Sequence, residues 1–318
     1  MPFGFIVLAN VVAIFALAPA GPGQLANVAA IASTGTDKPT RVGEDVIRAS
    51  QRWLRGDEGG KSDLEALALN GRSDAQEMLG EILGFGGPPQ LRDEIKACGW
   101  FAKAAGLRSD AMHNLAFCAE KGVGGAPDTA HAVVLYRKAA QRGYPKSMCA
   151  LGNLYVSGRG VPKDEARGAA LCRQGAELGE PDAQTDLGNL YLKGVGVPRN
   201  IVEARRWYEQ AAAQHQPNAQ FTLGQIYWNG DGVARDRSKA AELWKAAYEG
   251  GRVDAAPLLA SWLFANWTSA HNKGDLAVLD QAIRYGEAAV MISSEDKRVS
   301  QQSLLSVMRA ARATGEKE

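Results

Sequence analysis

A segment of 36 residues recurs along this chain, and its fixed period constrains the fold more than any single residue does. Its signature reads Leu-Gly-Asn-Leu-Tyr at 151–155 and again at 187–191, then Leu-Gly-Gln-Ile-Tyr at 223–227. A Gly-x-Gly-Val turn follows each of these, and an Ala-Ala pair ends most copies. The copies begin without drift at Ala75, Ala111, Ser147, Ala183, Ala219 and Ala255. Such a period predicts stacked units that bury their apolar faces only against their neighbours, which makes binding the first function to expect.

Each unit is predicted to be a pair of helices. Apolar residues at helical spacing form one stripe on the first helix, as at Ala183, Leu187, Leu190 and Tyr191. Glycine inside this helix costs up to about 1 kcal/mol relative to alanine, so its recurrence indicates close approach of the partner helix. These inner glycines are Gly152, Gly188 and Gly224, and those that end the helix are Gly158, Gly194 and Gly230. The expected N-caps of the second helix are Asp128, Asp164, Asn200 and Asp236, with Asp93 one residue late in the first copy after Pro88-Pro89.

The second helix carries a bulky pair before its Ala-rich end. The pairs are Trp100-Phe101, Leu135-Tyr136, Trp207-Tyr208 and Leu243-Trp244. Their fixed repeat position favours packing in the core over stacking against a ligand.

The ends of the chain differ from the repeats. Residues 1–20 are apolar and resemble a secretory signal, with a spanning anchor or a buried apolar helix as alternatives. Residues 21–42 are rich in Gly, Pro and small side chains and predict a flexible linker. Residues 43–74 are expected to form an N-terminal cap or partial repeat, with a helix at Glu44–Leu54 that Gly56 and Gly59-Gly60 end. Residues 75–270 hold the repeats, and 271–318 are expected to cap them with helices at Leu276–Met291 and Ser300–Ala313.

The charge and the motifs of the chain argue against several classes of function. The formal net charge is +1, and no cluster of Lys and Arg follows one face, which argues against nucleic-acid binding. The four histidines, His113, His131, His215 and His271, share no repeat register, so neither a metal site nor a catalytic triad is indicated. The Gly-x-Gly turns follow helices rather than strands and are not phosphate loops. We therefore expect no catalytic residue, no metal and no cofactor, with a hydrolase acting on envelope glycans or β-lactams as the alternative.

The four cysteines can be placed opposite one another on predicted antiparallel helices. If a turn centres on residue m, residue i lies opposite residue 2m − i. This places Cys98 opposite Cys118 across the turn at 106–110, and Cys149 opposite Cys172 across the turn at 158–163. An exported protein would be expected to form both disulfides. The alternative is four buried thiols that pack as small apolar side chains.

These residues together resemble the Sel-one-like repeat family, a relative of tetratricopeptide repeats. The matching pattern is Ala, then Leu-Gly-x-x-Tyr, Gly-x-Gly-Val, Asp, an aromatic pair and Ala-Ala, over about residues 62–270. The resemblance implies an all-α fold, a right-handed superhelical solenoid of about six helix-turn-helix repeats. It also implies a non-enzymatic scaffold or adaptor for a protein or peptide partner, in bacteria often exported and active in envelope signalling or assembly. A cytoplasmic or membrane-tethered scaffold is the alternative, in which the membrane is reached only through an N-terminal anchor or a membrane-protein partner.

In related arrays the concave face is lined by the first helices, and this register selects the candidate binding residues. Asn153, Asn189 and Gln225 hold one repeat position, where their amides are expected either to bind a peptide backbone as a ladder or to form local hydrogen bonds. Lys146, Lys193 and Asn229 are expected to receive acidic groups of a partner. Phe221 and Trp228 are the expected apolar anchors, and Trp228→Ala is expected to weaken binding without unfolding the array.

Overall fold

A computed structural model describes residues 42–84, 86–269 and 275–315, so the apolar run at 1–20, the linker up to residue 41 and His271 lie outside the described residues. These ranges contain helices and no β-strand, as the period predicts. The helices form two compact units, which divide between Asn200 and Ile201. Within the described ranges, no helix is both long and apolar enough to cross a membrane.

The first unit contains nine α-helices among its described residues. They are α1 Glu44–Leu54, α2 Glu58–Leu69, α3 Ser73–Leu83, α4 Glu94–Ala104, α5 Ser109–Lys121, α6 Thr129–Gln141, α7 Pro145–Ser157, α8 Glu165–Glu177 and α9 Pro181–Lys193. The first helices of its repeats are α3, α5, α7 and α9, and the second helices are α4, α6 and α8. A short 3-10 helix at Pro89–Leu91 accommodates the residue inserted before Asp93.

The second unit contains six α-helices among its described residues. They are α10 Ile201–Ala213, α11 Pro217–Asn229, α12 Arg237–Glu249, α13 Ala256–Thr268, α14 Leu276–Ile292 and α15 Glu295–Gly315. The last two helices extend beyond the predicted C-terminal ends at Met291 and Ala313, and α15 also begins at Glu295, before the predicted Ser300. Leu263, Leu279, Ala282 and Met308 form the apolar core that α13, α14 and α15 share.

The helix ends follow the predicted chemistry. Asp128, Asp164 and Asp236 each accept a hydrogen bond from the backbone N–H three residues on, and the late Asp93 does the same. The first helices α5, α7, α9 and α11 end at left-handed glycines, with φ of 68° at Gly158, whereas α3 ends at Gly84 with φ of −91°. Asp thus fixes where these second helices begin, and Gly fixes where these four first helices end.

Close helix contact explains the inner glycines. A Cβ at Gly152 would lie 2.6 Å from the carbonyl oxygen of Gly168, and one at Gly224 would lie 2.5 Å from Nε1 of Trp244. The bulky residues of the second helices fill the core, since Phe101, Tyr136, Tyr208 and Trp244 are all buried. The prediction of core packing over ligand stacking is therefore confirmed.

The N-terminal helix pair corrects one expectation. α1 has the predicted bounds, but Gly59-Gly60 does not stop a helix; both residues lie in the first turns of α2. Gly56, at φ of 90°, makes the turn instead. A Cβ at Gly60 would lie 2.6 Å from the carbonyl oxygen of Ala49, so this glycine allows α1 and α2 to touch.

Candidate functional site

A groove of about 260 Å³ lies on the first helices of three consecutive repeats. Phe117 of α5, Ala150 of α7 and Asp186 of α9 all line it, and Tyr136 of the second helix α6 lies beneath them. Phe117 and Asn153 hold the same repeat position, 36 residues apart. The 36-residue period therefore brings side chains from distant parts of the sequence to one face.

Asp186 is a partly buried carboxylate held by amides. Nδ2 of Asn153 donates to its Oδ2 at 2.7 Å. Burial raises the pKa of Asp186, while hydrogen bonds from Asn153 and Asn189 and the charge of Lys193 oppose that rise. Among the described residues, no Lys, Arg or His forms an ion pair with this carboxylate.

Three other charged side chains that line the groove, Glu120, Lys146 and Arg159, lie beside opposite charges. Arg159 binds Glu120 at 2.7 Å, and the hydroxyl of Tyr136 donates to the second oxygen of Glu120 at 3.2 Å. Nζ of Lys146 lies 4.0 Å from the buried carboxylate of Glu180. Burial raises the pKa of Glu180, and Lys146 opposes that rise. Lys146 thus already faces an acidic group of its own chain.

Two of the three amides in the predicted ladder are already hydrogen-bonded within the chain. Asn153 and Asn189 both bond to Asp186, which matches the alternative of local hydrogen bonding. Gln225 is exposed on α11 of the second unit. Binding of a peptide backbone by these amides stays a prediction.

The other candidate binding residues lie in different environments. Lys193 is exposed, and Nδ2 of Asn229 donates to Asp231 at 3.1 Å. Phe221 and Trp228 are partly buried and pack against the core around Trp244. The rings of Trp228 and Trp244 lie 5.2 Å apart. Removing the Trp228 ring would expose this core and lower the free energy of unfolding. The packing therefore does not support the expectation that Trp228→Ala weakens binding without affecting the stability of the array.

A buried ionic network is the feature that sequence reasoning missed. Arg108 contacts the buried carboxylate of Glu77 and binds Asp110 at 2.7 Å. Burial raises the pKa of Glu77 well above its ordinary value, and the neighbouring Asp110 reinforces that rise. The sequence does carry a signal, because Arg-x-Asp recurs at one repeat position, as 72–74, 108–110 and 252–254.

The cysteines pair in the structure as the hairpin symmetry requires. Cys98 is bonded to Cys118 and Cys149 to Cys172, each link joining the two helices of one hairpin. Cys149 also lines the groove. The oxidation state of these residues in the cell stays a prediction.

His113, which lines the groove, lies against a buried serine. Nδ1 of His113 is 2.9 Å from Oγ of Ser147, but the serine is completely buried. Burial lowers the pKa of His113 to about 3, and Lys146 contributes to that fall. Because Ser147 is completely buried, its hydroxyl is out of reach of a substrate, and the described residues contain no cluster of three potential metal ligands.

The comparisons with known proteins agree with this architecture. The Sel1 repeat model matches residues 73–107, 109–144, 145–180, 181–215 and 217–251, more than half of the chain. No curated protein sequence matches the chain. Sel1 repeats generally form non-enzymatic scaffolds for protein–protein interaction.

Several solved structures resemble the chain. A Sel1 repeat protein from Oxalobacter formigenes is 24% identical, with a TM-score of 0.56 over 76% of this chain and 97% of that one. The antigen c5321 of uropathogenic Escherichia coli, which displays an SLR fold, is 21% identical, with a TM-score of 0.47 over 93% of this chain and 72% of that one. The immunity protein Pa5087 from Pseudomonas aeruginosa is 22% identical, with a TM-score of 0.47 over 76% of this chain and 83% of that one. At such identities a likeness concerns the fold alone, but the five matched repeats establish that the chain belongs to the Sel1 repeat family.

Proposed function

We propose that this protein is a non-enzymatic adaptor that binds an extended segment of a partner protein in the groove on α5, α7 and α9. The observation that carries the proposal is the groove itself, which three consecutive first helices line with aromatic, amide and charged side chains. Such a mixture of apolar surface and a few placed polar groups is typical of peptide-binding sites. No cofactor is needed for this role.

The adaptor is proposed to be exported and to act in envelope signalling or assembly. The apolar segment at 1–20 and the pairing of all four cysteines within hairpins support this location. Mass spectrometry of the protein from its host, with thiols alkylated before reduction, tests it. A start near Gly21 with both disulfides intact is expected, and an intact Met1 with four alkylated thiols would overturn export while leaving the groove proposal in place.

Peptide selection tests the binding site. A library of random displayed peptides is selected against the immobilised protein, and the affinities of the selected peptides are measured. Ala150→Phe places a ring in the groove, whereas Val134→Phe places the same ring at a position on α6 that is 42% exposed. Circular dichroism establishes that both variants are folded.

The two variants are expected to behave differently. Ala150→Phe should weaken binding about tenfold or more because it fills the space that the peptide needs, and Val134→Phe should leave binding unchanged. Recovery of no binding peptide, or equal binding by both variants and the unchanged protein, would overturn the proposal.

A further inference from the structure

We propose that Asp186 receives a cationic side chain, lysine or arginine, of the peptide that occupies the groove. This inference rests on the proposed function, since it assigns the chemistry of the same site. The peptide carries a positive charge at the position that faces α9.

The first reason is the way in which the Asp186 carboxylate is held. Its hydrogen-bond donors are neutral amides, among them Nδ2 of Asn153 at 2.7 Å. Lys193, on the same helix, acts on it only through longer-range attraction and forms no ion pair with it. Amides orient a carboxylate without neutralising it, so Asp186 keeps its negative charge although it is partly buried.

The second reason is the charge balance around it. Glu120 is neutralised by Arg159, and Glu180 lies beside Lys146. Asp182, exposed one helical turn before Asp186, adds a further negative charge to the same wall, so that α9 presents two carboxylates to the single positive charge of Lys193. The groove therefore carries excess negative charge at its α9 wall, which attracts a cation and disfavours the acidic partner group expected from sequence.

The third reason is the apolar surface that shares the groove. Phe117 lines it together with Asp186, above the buried ring of Tyr136. Lysine and arginine pair a charged head with an apolar stem, so a single side chain would satisfy both the carboxylate and the Phe117 ring. A neutral apolar side chain would leave the carboxylate desolvated and without a counter-charge.

The test uses peptides selected against the unchanged protein. Asp186→Asn removes the charge but keeps an oxygen that accepts from Asn153. Glu177→Gln is the matched control, because it removes one negative charge from an exposed position at the end of α8. Circular dichroism and thermal melts of both variants show whether the fold is kept.

The expected result is enrichment of peptides with lysine or arginine, with binding weakened about tenfold or more by Asp186→Asn and not by Glu177→Gln. Replacing the selected cation by norleucine should weaken binding to the unchanged protein and have little effect on Asp186→Asn.

Two outcomes would overturn the inference, and they differ. Selected peptides that lose affinity in Ala150→Phe but bind Asp186→Asn as well as the unchanged protein would refute the role of Asp186 and leave the proposed function standing. Recovery of no groove-binding peptide would refute both.

Discussion

Asn153 donates a hydrogen bond of 2.7 Å to Asp186, which lies 33 residues later on the next first helix. The bond joins α7 to α9 across two repeats and fixes one wall of the groove. Its acceptor is the residue that we propose to be the cation receptor. In this proposal, repeat packing and ligand binding depend on the same pair of side chains.

Loss of this bond should weaken the first unit. Asn153→Ala removes a donor from a partly buried carboxylate, and we expect the free energy of unfolding at pH 7 to fall by about 1–3 kcal/mol. Burial already holds the pKa of Asp186 above its ordinary value, so the folded protein takes up this proton at a higher pH than the unfolded chain does. The defect should therefore shrink as the pH falls and Asp186 is protonated.

Urea unfolding over a range of pH measures this effect. Asn229→Ala is the control, because its amide bonds to an aspartate at the exposed end of α11. We expect no loss of stability in the control. Equal stability of both variants at pH 7 would show that the Asn153–Asp186 bond contributes nothing.

The contact between α7 and α8 should not tolerate a methyl group. Gly152→Ala would place a Cβ 2.6 Å from the backbone oxygen of Gly168, and two backbones cannot move apart as a flexible side chain can. We expect a loss of about 1–3 kcal/mol in the free energy of unfolding. Gly99→Ala, in the exposed middle of α4 with no atom near its Cβ, should instead be neutral or stabilising by up to about 1 kcal/mol. Thermal melts of the two variants would contradict the account if the order were reversed.

Removal of a disulfide should lower stability by an amount set by the loop that it closes. The links span 20 and 23 residues, which corresponds to about 3 kcal/mol each in the chain-entropy description. We expect Cys98→Ala with Cys118→Ala, or Cys149→Ala with Cys172→Ala, to reduce the melting temperature. A reductant should reduce it in the unchanged protein but have no further effect when all four cysteines are replaced. Native protein with four titratable thiols and a melting temperature unaffected by reductant would contradict the prediction.

Acid should destabilise the fold through His113. Its folded pKa is about 3, against an ordinary value of 6.5, because burial among Tyr136 and Tyr144 and the nearby Lys146 disfavour the charged ring, although Asp110 opposes them. Between these values the unfolded chain binds a proton that the folded protein does not, so stability is lost as the pH falls below about 6.5.

The contribution of His113 is isolated by a difference measurement. The buried carboxyls of Glu77 and Glu81 have raised pKa values and act in the opposite direction, so the unchanged protein alone is not informative. We expect the stability of His113→Gln relative to the unchanged protein to rise by up to about 1.4 kcal/mol for each pH unit below 6.5. A difference that does not vary between pH 7 and pH 4 would show that His113 titrates normally.

The repeat architecture was predictable because each of its devices is local. Asp164 caps a helix through a backbone N–H three residues away, and Gly158 ends one through its own φ. The hairpin symmetry predicted the partners of Cys98 and Cys149 for the same reason, since a short turn fixes which residues face each other. Gly60 was misread because a glycine at a helix contact and a glycine at a helix end are alike in sequence.

The groove was less predictable because its chemistry depends on pairs from different repeats. Register alone placed Lys146 and Asn153 on the face that carries the groove. It did not show that Lys146 faces Glu180 or that Asn153 is bound to Asp186, because those partners occupy repeat positions that the signature leaves variable. The sign of the groove's charge followed only from the three-dimensional pairing.

The most direct test of the account is photo-cross-linking in the host. The photoreactive analogue p-benzoylphenylalanine is placed at Phe117 in the groove, or at Val134 on the exposed face of α6 as the control. The adducts are identified by mass spectrometry. We expect one defined protein adduct from position 117, absent from position 134 and lost when Ala150→Phe fills the groove. Adducts from position 134 alone, or adducts at position 117 that persist in Ala150→Phe, would contradict the claim that the partner binds in the groove.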